Sequence, residues 1–89
     1  MMIFEDIQDV EEWLAPLDYV TFWDAVAPYE VFDDRERDHC GALIAGGRVK
    51  QSLVLDGLKI AARLALTKKF GLTERIPEPA VAPYLKSVH

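Results

Sequence analysis

Eighty-nine residues, 51% of them hydrophobic and with five scattered prolines, make one small globular domain rather than a disordered chain. The apolar runs reach only three or four residues, too short for a membrane span, and Glu5 and Asp6 sit where a secretory leader would be hydrophobic. A lone cysteine, Cys40, excludes an internal disulfide framework, so the expected location is a reducing cytoplasm.

The net charge of −5 hides an asymmetry. Residues 1–40 carry twelve acids against Arg35 and Arg37, a net −10, whereas residues 41–89 carry three acids against eight cations, a net +5. Either the acidic half folds onto the basic half and the fields partly cancel, or an acidic surface is kept for a basic partner.

In chain order, Met1–Phe4 is an apolar arm or staple. Glu5–Leu14 reads as a helix with Ile7, Val10, Trp13 and Leu14 on one face and Asp6 as its cap, stopped ahead of Pro16. Asp18–Ala27 reads as a second helix burying Tyr19, Phe22, Trp23 and Val26. Thr21 and Asp24 resemble a capping box that would shift its start, and Pro28 closes it. After the Tyr29–Phe32 connector, Asp33 caps a third helix from Asp34 to about Ala45, with Leu43 and Ile44 buried and Gly46-Gly47 ending it.

Ser52–Phe70 is the central helix. Its polar residues Asp56, Lys59, Arg63 and Thr67 fall in one stripe, and leucines, valine and isoleucine spread around the rest. A helix apolar nearly all round is covered on several sides, so only that stripe should touch water and Leu64 should be buried. Gly57 predicts the close approach of a crossing helix. Ser52 or Gln51 is the expected N-cap, Lys68 and Lys69 suit the C-terminal dipole, and Gly71 is placed for a left-handed cap. Residues 73–89, with Pro77, Pro79 and Pro83, predict an extended strap packing Ile76, Val81, Tyr84 and Leu85. The expected fold is an all-α, four-helix domain over residues 1–72 with a proline-rich C-terminal strap.

Catalytic and metal chemistry find little to work with. His39 and Cys40 are neighbours, which on a helix point about 100° apart, and His89 is distant. Zinc wants four close ligands, and the acids Asp33, Asp34, Glu36 and Asp38 lack the glycine and terminal glutamate of an EF-hand loop. The Gly41–Arg48 run has the glycine spacing of a phosphate loop without its Lys-[Ser/Thr]. No catalytic residue, metal or cofactor is therefore expected.

Six of the nine aromatics lie in residues 13–32, interleaved with acids, as in a binding patch or a small core. The expected function is a non-catalytic interaction module: an adaptor, inhibitor or regulator presenting an acidic, aromatic-containing face to a larger basic protein. A nucleic-acid-mimicking inhibitor from a phage or mobile element is its sharper form. Trp13, Asp24, Asp33, Asp34, Glu36 and Asp38 are the candidate contact residues. The alternative is a helix-turn-helix regulator using Gly46–Arg63, with Arg48, Lys50, Lys59 and Arg63 on phosphates. Its helix begins Leu-Val-Leu where base-reading residues belong, and the domain is acidic. Apolar surface left on the central helix would suit a homodimer.

Overall fold

A computed structural model describes residues 3–74. Four α-helices follow in chain order: α1 (Ile7–Leu14), α2 (Tyr19–Val26), α3 (Asp34–Ala45) and α4 (Gln51–Phe70), with a 3-10 turn at Ala27–Tyr29. The described part of the chain is thus all-α. Ile76, Val81, Tyr84 and Leu85, expected in a strap, lie outside the described residues.

Each short helix is started by an aspartate. The Asp6 carboxylate accepts the Asp9 N–H at 2.9 Å, and the Asp9 carboxylate accepts the Asp6 N–H in return. Asp33 accepts the Glu36 N–H at 2.9 Å and starts α3. At α2 the capping box is Asp18 with Thr21, not Thr21 with Asp24: Asp18 accepts from the Thr21 N–H and hydroxyl, both at 2.8 Å, and its own N–H reaches the Thr21 oxygen at 2.9 Å. An aspartate one turn upstream uses the free N–H groups of that turn, so the helix begins three residues before Thr21 could have capped it.

The Thr21 bonds, the backbone N–H first, hold the Asp18 carboxyl below its ordinary value of 3.8. A group depressed on folding contributes stability above its unfolded pKa and loses it as pH falls through the folded one. Wild-type protein should therefore shed this increment as pH drops below 3.8. Asp18→Asn, which caps without titrating, should lose less between about pH 5 and about pH 2.5 in urea midpoints. Equal losses in the two proteins would refute the assignment.

The core is Phe4, Val10, Leu14, Phe22, Trp23, Val26, Tyr29, Leu58, Ala62 and Leu66, drawn from α1, α2, α4 and the flanking segments. Two aromatic groups fill it. Phe4 meets Trp13 at 5.3 Å and Tyr29 at 5.7 Å, with Phe70 beside them. Phe22 meets Trp23 at 5.4 Å, and Phe32 packs against both. Helix α3 is an outlier with no buried residue, and Leu43 and Ile44, expected inside, are half-buried. Its dense charges leave too narrow an apolar stripe for deeper docking.

Helix α4 touches the other three and in that sense is central. It is not covered on several sides. Leu58, Ala62 and Leu66, at i, i+4 and i+8, face the core, while Leu53, Ile60 and Leu64 on the opposite side are 63, 59 and 59% exposed. Leu64 is thus not the buried residue the sequence suggests. Gly57 does not receive a crossing helix either: among the described residues nothing lies within 4 Å of where its Cβ would be. The physical reason lies in the cations. The Lys59 ammonium donates to the Ala15 carbonyl at 2.9 Å and Arg63 to Glu11 at 3.4 Å, so the aliphatic stems of this stripe lie along α1. Two eight-residue helices then have only one side of α4 left to cover.

The ends of α4 divide the expectations. Neither Gln51 nor Ser52 caps it; Lys50 takes the cap position without a side-chain bond. Gly71 adopts φ 62°, and its N–H and that of Leu72 both reach the Thr67 carbonyl. The ammonium of Lys69 donates to the Tyr29 carbonyl, tying the end of α4 to the 3-10 turn.

Candidate functional site: the acidic surface at the start of α3

Where the acids stand follows from the caps. Asp33 must lie at the helix start, and Asp34 and Glu36 fall in the first turn, where negative charge suits the dipole. Asp38 continues along α3, and Asp24 lies on α2 beside Trp23. All five are exposed. Among the described residues one ion pair joins the acidic half of the chain to the basic half. Arg63 reaches Glu11, but Lys59 and Lys69 spend their ammonium groups on carbonyls. None of Asp24, Asp33, Asp34, Glu36 and Asp38 forms an ion pair among the described residues.

At the junction of α2 and α3 lies a small cleft of about 60 Å³. Trp23, Val26, Ala27 and Phe32 supply its apolar walls, and Asp33, Asp34 and Arg37 its charged rim. The Arg37 guanidinium lies over the Trp23 ring at 5.9 Å, a cation–π contact. The Trp23 indole N–H is buried and has no hydrogen-bond partner among the described residues. Such a cleft has room for the end of one extended side chain, with aliphatic stem on aromatic walls and polar head at the carboxylates.

The structure brings Asp33 and Asp34 to this cleft and leaves Asp24, Glu36 and Asp38 off its lining. Trp13 belongs elsewhere: it is half-buried in the Phe4–Tyr29 group, 5.4 Å from the Tyr29 ring. Of the six interleaved aromatics, Phe22, Trp23 and Tyr29 are buried and Trp13, Tyr19 and Phe32 half-buried. Trp23 and Phe32 belong to the interleaved aromatics of the sequence, but neither they nor Arg37 are among the contact residues it suggests. The one available signal was Phe32 immediately before the Asp33 cap, an apolar residue placed to fold back on the helix start.

The remaining chemistry is sparse. Cys40 is half-buried, and burial, with Glu36 adding to it, raises its thiol above the ordinary value, leaving it protonated and a weak nucleophile at neutral pH. His39 is exposed. Among the described residues no three of His, Cys, Asp and Glu gather as a metal-binding group, and no helix is long and apolar enough to cross a membrane. In the Gly46–Arg63 segment, Lys59 and Arg63 are turned to α1, and the exposed side of α4 over its first turns carries Leu53, Asp56, Gly57 and Ile60. No family model, curated protein or solved structure matches the chain.

Proposed function

We propose that this protein is a non-catalytic interaction module whose acidic surface at the start of α3 receives a basic protein. The observation that carries the reading is that, among the described residues, Asp33, Asp34, Glu36 and Asp38 stand exposed without an ion pair, two of them on the rim of an aromatic-walled cleft. A Lys or Arg of the partner lays its stem on Phe32 and reaches the Asp33 and Asp34 carboxylates. Exposed carboxylates cost the monomer self-repulsion, which a basic partner relieves. Mimicry of nucleic acid is the special case in which the partner's basic groove is a phosphate-binding one.

The test is capture of partners from the host lysate at low and moderate salt. One stoichiometric basic protein should be retained, more weakly as salt rises. The triple reversal D34K/E36K/D38K should weaken its binding at least about tenfold. An equal reversal at Glu5, Glu12 and Glu74 should change binding far less. Equal effects from both triples, or retention of nucleic acid instead, would sink the proposal.

A further inference from the structure

The acidic surface leaves the outer side of α4 unused. There Leu53, Gly57, Ile60 and Leu64 follow one another at intervals of four, three and four residues, the seam spacing of two paired helices. These residues lie opposite Leu58, Ala62 and Leu66, so the side chains exposed here are not held by the core. Among the described residues nothing lies within 4 Å of where a Gly57 Cβ would be, which leaves a flat place in the seam.

We propose that a second copy of this chain covers this stripe, with the two α4 helices antiparallel. The charges beside the seam choose the occupant and its direction. One flank carries Asp56 and Arg63, the other Ala61 and Lys68. In a parallel pair opposite flanks meet, setting Arg63 against the second copy's Lys68 and Asp56 against its Ala61. That arrangement repels. In an antiparallel pair like flanks meet, so Asp56 faces the second copy's Arg63, and the two-fold axis repeats the contact. The same register sets Leu53 against the second copy's Leu64 and Gly57 against its Ile60, a large side chain over the flat place. Apolar residues and charges are thus self-complementary in one register, as a closed two-fold interface requires. Asp56 has no ion pair among the described residues, and Arg63 uses only part of its five-donor guanidinium on Glu11. The pair of surfaces is small, so the dimer is of the weak, reversible class.

Sedimentation of the full chain from roughly 1 μM to roughly 1 mM, a range that spans weak association, reads the proposal directly. The wild type should pass from monomer to dimer. Leu64→Arg should raise the dissociation constant at least about tenfold without altering the far-UV circular dichroism, since Leu64 lies outside the core. In a Glu11→Gln background, which takes residue 63 out of its ion pair with α1, Asp56→Arg and Arg63→Asp should each weaken the dimer, and D56R/R63D should restore it. A monomer throughout the range, or a dimer indifferent to Leu64→Arg, would overturn the proposal. A double reversal no tighter than the singles would overturn the antiparallel register.

Discussion

Phe22→Ala should come close to unfolding this protein. Phe22 is fully buried, meets Trp23 and Phe32 through ring contacts, and belongs to the core that α2 shares with α4. Removing a buried phenyl ring costs about 3–5 kcal/mol, from lost transfer energy and from the cavity left behind. A domain of this size has about 5–15 kcal/mol in all, and 89 residues place it toward the low end. At about 4–8 °C per kcal/mol for a domain this small, the melting temperature should fall by roughly 12–40 °C. Thermal and urea unfolding followed by circular dichroism give the number. A loss under about 1 kcal/mol would place Phe22 outside the core.

The second large effect is a contrast between two leucines of one helix. Leu66 is fully buried and Leu64 is 59% exposed, although they stand two residues apart. Leu66→Ala should cost about 2–5 kcal/mol, and Leu64→Ala less than about 1 kcal/mol. Dilute solution is needed, so that any contribution of Leu64 to self-association stays out of the result. Urea midpoints for the two variants decide which side of α4 faces inward. The reverse order would mean that α4 is rotated by half a turn from the structure described.

That contrast also marks how far the residues alone could be read. The starts of α1 and α3 were legible because Asp6 and Asp33 act through local hydrogen bonds, which need no knowledge of the rest of the fold. Gly71 was legible for the same reason, since a left-handed residue after the last turn is a local demand. The orientation of α4 was not. Apolar residues lie on nearly all its sides, so periodicity could not select the Leu58–Ala62–Leu66 row over Leu53–Ile60–Leu64. What selects it is the shape of α1 and the grip of Lys59 and Arg63 on that helix, contacts between residues 44 and 52 positions apart. The exposure of Asp33, Asp34, Glu36 and Asp38 was legible from their charge. Which aromatics stood near them was not, because acids and rings alternate along residues 13–32 and either could have faced out. Trp13 went to the Phe4–Tyr29 group instead.

The dependence of α1 and α2 on α4 has a bearing on how the chain is made. A ribosome releases the N-terminal residues first, at about 5–20 residues per second. The aromatic-rich segment through Phe32 therefore emerges seconds before Leu58, Ala62 and Leu66, which complete its core. Until then the rings have no partner surface from α4, and closing the core has to span most of the chain. The dense acids of that segment should act as a safeguard for the interval, since like charges repel nascent chains while the last wall of the core is still being synthesised.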